Sequence, residues 1–157
     1  MRALRGVYIH ATAHVHPSAK LAAGVTVNAG AYVGPRAVLG PGCSAGAGVH
    51  IGAATTLVAQ VSLENCSVGR HCLIHPGVRV GADGFGFTVE SGAVRKKPQL
   101  LRVLIGDHVE IGANTCIDRG SWRDTAIGSH TKMDNMVQVR LAAANRIPGL
   151  RTREPAS

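Results

Sequence analysis

The chain has 157 residues and a formal net charge of +8 at pH 7; only 3% of it is aromatic, whereas 20 residues are glycine. A core of small aliphatic side chains is therefore expected, which favours a slender solenoid over a compact globule. No run of about 18 apolar residues occurs, so no membrane-spanning segment is predicted. The positive charge lacks the aromatic and basic interleaving of a nucleic-acid-binding domain, so no nucleic-acid partner is predicted.

An aliphatic side chain recurs at every sixth position through the first part of the chain. The positions are Ile9, Val15, Leu21, Val27, Val33, Leu39, Ala45, Ile51, Leu57 and Leu63. Neither the 3.6-residue period of a helix nor the alternation of an ordinary strand selects every sixth residue. Short strands joined by tight corners do select it, because three of them close a triangular coil with the aliphatic side chains stacked inside. The sequence therefore predicts an all-β fold, a parallel β-helix.

The repeat resumes further along the chain, at Val68, Ile74, Val80, Ile105, Ile111, Ile127 and Met133. Two interruptions are predicted as insertion loops, at about residues 82–104 and 118–126. The first holds Phe85, Phe87 and a basic run at residues 95–97, and the second holds the only tryptophan, Trp122. Because insertions in a solenoid often build its binding site, these loops are candidates for one. Alternatively, their aromatic rings only cover an edge of the coil.

The histidines and cysteines predict no metal site. Cys43, Cys66, Cys72 and Cys116 show neither zinc-ligand spacing nor the density of a disulfide scaffold, so we expect reduced, mostly buried thiols and a reducing compartment. The eight histidines lack a spacing that would make three of them converge on zinc. Structural or surface roles are expected for His16 and His75, which each follow a repeat aliphatic and precede proline.

The segment between Ile74 and Gln138 contains the strings ADGFGF, KKPQ, GANTCIDRGSW and DNMVQ. With these strings, the chain resembles the UDP-3-O-acylglucosamine N-acyltransferases of lipid A biosynthesis, in particular a truncated plant organellar form. The resemblance implies a single-stranded left-handed parallel β-helix of hexapeptide repeats over residues 1–139. Residues 140–157 are then expected to form an irregular basic tail.

The family resemblance also implies an activity, partners and site residues. The reaction would transfer a 3-hydroxyacyl group from acyl carrier protein to the 2-amine of UDP-3-O-acylglucosamine, without a cofactor, in a homotrimer. Asp134 and Gln138 would line the sugar or acyl pocket, and the loop containing Asp83, Gly84, Phe85 and Phe87 would wall the donor site. The plant form implies a mitochondrial location, with a cytoplasmic one as the alternative.

One departure from the family pattern leaves the activity open. The catalytic histidine is expected three residues after the glutamine of the DNxxQ motif, where this chain has Leu141, and no later histidine follows. Leucine cannot accept a proton, so we assign no catalytic residue and expect transfer to be impaired. The alternative is a noncatalytic β-helical subunit or scaffold that forms mixed trimers with a full-length homologue.

Overall fold

Three parallel sheets form the sides of a solenoid in the computed structural model, which describes residues 6–140. The first sheet contains β1 (Tyr8–Ile9), β4 (Thr26–Val27), β7 (Ser44–Ala45), β10 (Ser62–Leu63), β13 (Arg79–Asp83), β18 (Cys116–Arg119) and β21 (Gln138–Val139). The second contains β2 (His14–Val15), β5 (Tyr32–Val33), β8 (His50–Ile51), β11 (Cys66–Val68), β16 (Val103–Ile105) and β19 (Thr125–Ile127). The third contains β3 (Lys20–Leu21), β6 (Val38–Leu39), β9 (Thr56–Leu57), β12 (Leu73–Ile74), β17 (Glu110–Ile111) and β20 (Lys132–Met133).

A separate antiparallel hairpin, β14 (Phe87–Glu90) and β15 (Ala93–Lys96), leaves the solenoid between β13 and β16. All other strands pair in parallel with the corresponding strands of adjacent coils; Tyr8, for example, pairs with Thr26. The predicted all-β parallel solenoid is confirmed. Residues 6–140 contain no helix. This part of the chain therefore has no helix that is long and apolar enough to cross a membrane.

The repeat aliphatic residues form the core of the solenoid. From Val27 onward most of them have no exposed surface, and they stack because the register places each above its counterpart in the previous coil, as in the pairing of Leu39 with Leu57. Full burial of such a side chain stabilises the fold by roughly 1.5–3 kcal/mol. Further buried residues directly before the strands, including Val25, Val49 and Val61, fill the rest of the interior.

All four cysteines are free thiols, and three of them are buried, as predicted. Burial raises the pKa of the Cys66 thiol to about 12, so it stays protonated and unreactive at neutral pH. Cys43 and Cys72 also have raised pKa values because of burial. Their side chains therefore act as small apolar groups in the core.

The corner between the second and third sheets adopts left-handed backbone conformations at non-glycine residues. In the last described coils it carries His71, His108 and His130, with φ values of 55°, 57° and 66°. Their rings stack on the surface with centroids 5.0 Å apart. Elsewhere, His75 Nε2 lies 3.1 Å from a Glu110 carboxylate oxygen, and His16 Nδ1 lies 2.8 Å from the Ser18 hydroxyl.

Candidate functional site

An open cavity of about 520 Å³ lies over the outer face of the first sheet. Its floor consists of the outward-facing residues of three adjacent strands, because Arg79 pairs with Cys116 and Cys116 pairs with Gln138. The first interruption supplies the wall, which includes Asp83, Gly84, Phe85, Phe87 and Lys96. The cavity therefore brings together residues 83–87 and Gln138, which are about 50 residues apart in sequence.

A bulge in β13 turns the chain from the sheet into this wall. The register between β13 and β18 shifts between Val80 and Ala82, on either side of Gly81. Gly81 has a φ of +86°, and a Cβ there would overlap the carbonyl oxygen of Glu64. The Asn65 side-chain amide donates a 3.1 Å hydrogen bond to the Gly81 carbonyl and holds the bulge in place. The bulge thus extends β13 to Asp83 at the rim of the cavity.

Asp83 ties the hairpin to the solenoid through two ion pairs. Lys96 Nζ of β15 lies 2.9 Å from Oδ2, and the Arg119 guanidinium of β18 lies 2.8 Å from Oδ1. The hydrogen bond from Lys96 and then that from Arg119 lower the pKa of Asp83 below its ordinary value. Asp83 is therefore ionised at neutral pH, with a cation on each carboxylate oxygen.

A second contact joins the two interruptions to each other. The Lys97 ammonium lies 3.6 Å from the centroid of the Trp122 ring, a cation–π distance. Trp122 is otherwise exposed, at 75% of its surface. At the base of the hairpin the Lys97 amide donates a 2.9 Å hydrogen bond to the Gly86 carbonyl. Lys97 therefore holds the hairpin beside the cavity.

We expect Lys97→Ala to loosen the hairpin without unfolding the solenoid. An exposed cation–π contact contributes about 0.5–1 kcal/mol, so hydrogen exchange at the Thr88 and Arg95 amides, which face each other at a hydrogen-bonded pair of the hairpin, should accelerate roughly two- to fivefold. The Val27 amide, in the buried coils, serves as an internal reference. Lys97→Arg keeps a cation over the ring and should retain slow exchange. Equal exchange in the Ala and Arg variants would show that the contact with Trp122 contributes nothing.

Asp118 also lines the cavity, although its place in the sequence did not mark it as a site candidate. Its Oδ2 accepts a 2.9 Å hydrogen bond from the Gln138 side-chain amide, and its backbone carbonyl accepts one of 2.7 Å from the Thr125 hydroxyl. Burial raises the pKa of Asp118, and the negative charge of Asp83 adds to that effect. The available signal was its position directly after the inward-facing Ile117, in the IDRG string of the resemblance.

The structure separates two residues that the resemblance assigned to one pocket. Gln138 lines the cavity together with Asp83, Gly84, Phe85 and Phe87, whereas Asp134 does not. Asp134 lies at the corner after β20, where its Oδ1 accepts a 2.7 Å hydrogen bond from the Asn135 amide and its carbonyl accepts one from Thr115. Whether these six residues bind substrate stays a prediction. Leu141 lies outside the described residues.

The described range contains no group of three or more His, Cys, Asp or Glu side chains that could hold a metal ion. The cavity polar groups are one amide, two carboxylates and several cations. Two exposed aromatic side chains, Phe85 and Phe87, pack edge to face with centroids 4.9 Å apart. The arrangement thus combines an apolar wall with a polar floor.

No family model matches this chain. It is 64% identical over 80 residues to probable UDP-3-O-acylglucosamine N-acyltransferase 2, mitochondrial, from Arabidopsis thaliana, a match covering 50% of this chain and 26% of that protein. It is 55% identical over 85 residues to UDP-3-O-acylglucosamine N-acyltransferase from Paracidovorax citrulli, covering 54% of this chain and 26% of that protein. About half of this chain is homologous to UDP-3-O-acylglucosamine N-acyltransferases. The predicted resemblance is confirmed over that half, which corresponds to about a quarter of each relative.

Two solved structures show more distant similarity. The acetyltransferase domain of PglB from Neisseria gonorrhoeae is 22% identical, with a TM-score of 0.32, and the match covers 88% of this chain and 51% of that domain. A mutant GDP-perosamine N-acetyltransferase from Caulobacter crescentus, in complex with CoA and GDP-perosamine, is 20% identical, with a TM-score of 0.32. That match covers 82% of this chain and 52% of the acetyltransferase.

Proposed function

We propose that this chain provides an N-acyltransferase site for a 3-hydroxyacyl group carried by acyl carrier protein and for the 2-amine of UDP-3-O-acylglucosamine. The reaction belongs to lipid A biosynthesis, and we propose that transfer by this chain is impaired. One observation carries the proposal: residues 83–87 and Gln138, from two strings of the resemblance, assemble one cavity. The 53–64% identity of half the chain to acyltransferases of that name supports it.

The cavity suits a reaction between an acyl thioester and a sugar amine. Phe85 and Phe87, 81% and 47% exposed, offer an apolar surface to an acyl chain. Gln138 and Asp118 offer polar atoms to a sugar. Attack on the thioester requires an unprotonated amine and therefore a proton acceptor. Asp83 cannot serve because its carboxylate is held by Lys96 and Arg119, and Leu141 has no basic atom.

The proposed partners follow from charge and from the relatives. A net charge of +8 favours approach of an acidic carrier protein, and the exposed Arg95 and Lys96 lie on the hairpin that walls the cavity. We propose a homotrimer in which prism sides pack together. The mitochondrial name of the Arabidopsis thaliana relative supports an organellar location, with the cytoplasm as the alternative.

The test is an assay with 3-hydroxyacyl carrier protein and UDP-3-O-acylglucosamine. We expect the chain to bind the UDP-sugar and to form N-acylated product slowly, far below the rate of a full-length homologue. Binding is measured by calorimetry and product by mass spectrometry. The N-acetylated UDP-sugar, which has no free amine, is the control for product formation. If the chain binds no UDP-sugar under conditions in which the homologue is active, the proposed site does not exist.

The identity of Leu141 favours a second candidate, a noncatalytic subunit. The same β-helix sides that would form a homotrimer could pack against a full-length homologue in mixed trimers. Co-purification of tagged chain with the homologue, together with no product from the chain alone, would support this function. A chain that forms product without the homologue would exclude it.

A further inference from the structure

Among the described residues, Asp118 is the cavity carboxylate that no cation contacts directly. Within residues 6–140 it takes part in no salt bridge, whereas Asp83, Asp107 and Glu110 each do. The Gln138 side-chain amide donates a hydrogen bond to Oδ2 of Asp118. Within residues 6–140, no donor forms a hydrogen bond with Oδ1. The carboxylate is therefore oriented by one amide and keeps one oxygen available to a donor.

The charged side chains near Asp118 make their direct contacts with other groups, so the Asp118 carboxylate can accept a hydrogen bond from a bound cation. Asp83 is neutralised by Lys96 and Arg119. The Arg79 guanidinium, in the floor, donates to backbone carbonyls, including that of Val78. Arg140, the last described residue, also lines the cavity, and its charge acts to lower the pKa of Asp118, but the two side chains form no salt bridge.

The space around Asp118 suits a small donor group. A Cβ built on Gly84 would lie 3.5 Å from Oδ2, so the wall approaches the carboxylate closely with no side chain between them. The hydroxyl of Thr125, on β19, donates a hydrogen bond to the backbone carbonyl of Asp118. The hydrogen bond from Gln138 to the carboxylate and that from Thr125 to the backbone carbonyl thus set the position of Asp118.

We propose that Asp118 binds the protonated 2-amine of the acceptor sugar and thereby holds the sugar in the cavity before transfer, which begins only once the amine has lost its proton. The inference rests on the proposed function, because the amine belongs to the sugar of that reaction. A charged hydrogen bond between an ammonium and a carboxylate is about twice as strong as a neutral one. Asp118 is then the residue that distinguishes a free amine from an amide at this sugar position.

The test measures binding of two probes to the whole 157-residue chain by calorimetry. The probes are UDP-3-O-acylglucosamine and the same molecule acetylated on its 2-amine. We expect the amine to bind about tenfold more tightly than the amide, and this preference to disappear in Asp118→Asn. Asp107→Asn removes a surface carboxylate paired with Arg70, outside the cavity, and should keep the preference.

The outcomes separate this inference from the proposed function. Equal binding of both probes by the wild-type chain, or an unchanged preference in Asp118→Asn, overturns the role of Asp118 and leaves the acceptor site standing. Binding of neither probe overturns the proposed function and this inference with it. If Asp118→Asn fails to fold, Asp118→Glu provides the test: it keeps the charge and should keep the amine preference, whose loss despite normal folding would overturn the inference.

Discussion

Replacing Gly81 with alanine destabilises the chain by at least about 3 kcal/mol, because the new methyl group has no space. Gly81 forms the bulge of β13, and its Cα faces the carbonyl oxygen of Glu64 in the preceding coil. An alanine Cβ would overlap that oxygen, so two hydrogen-bonded backbones have to separate. The left-handed φ of +86° adds a cost of roughly 1–2 kcal/mol for any residue with a Cβ.

Gly48→Ala is the matched control for this prediction. Gly48 also has a left-handed φ, +65°, but a Cβ there would meet no atom within 4 Å. The control therefore isolates the conformational cost, and we expect a loss of about 1–2 kcal/mol. Urea denaturation followed by circular dichroism measures both variants. Equal destabilisation of the two would show that contact with Glu64 is unimportant and that only the backbone conformation matters.

The second large effect is a gain of activity in Leu141→His. A positioned general base accelerates proton transfer by about 10²–10⁴-fold, and the resemblance places the family histidine at residue 141. We expect an increase at the low end of this range, about 100-fold, in N-acylated product from acyl carrier protein and UDP-3-O-acylglucosamine. Full recovery is not expected, since residues 140–157 lack the hexad pattern from which further coils would be built.

Leu141→Asn controls for the change in polarity. Asparagine can form hydrogen bonds but cannot take up a proton at neutral pH, so this variant should stay as slow as the wild-type chain. A histidine-specific gain should also fall as the pH drops through the imidazole pKa, because the protonated ring is no longer a base. An equal rate in the histidine and asparagine variants would argue against an acyltransferase site at this position and favour the noncatalytic subunit.

The coil architecture was predictable from the sequence because its interactions repeat. An inward-facing aliphatic residue at every sixth position specifies three sides per coil, and the pairing of Tyr8 with Thr26 follows from that period. Long-range contacts thus come from a local rule applied coil after coil. Both interruptions were visible for the same reason, since they break the period around Phe85 and Trp122.

The site was only partly predictable because it depends on chain segments that have no period. The resemblance selected residues 83–87 and Gln138, which the structure brings to one cavity. It also selected Asp134, four residues before Gln138, but a corner of the coil lies between them and Asp134 does not line the cavity. Asp118 carried no signal by itself, since its hydrogen bond to Gln138 crosses from one coil to the next.

By itself, the sequence determined the all-β solenoid and the buried aliphatic column. Each of these depends on which way a side chain points within a short repeated unit, and neighbouring residues suffice to specify that. Only the tertiary structure decided which interruption residues meet: Lys96 with Asp83 and Arg119, and Lys97 with Trp122. Those pairs depend on how the hairpin folds back on the first sheet, where segments separated in sequence come together through packing and charge.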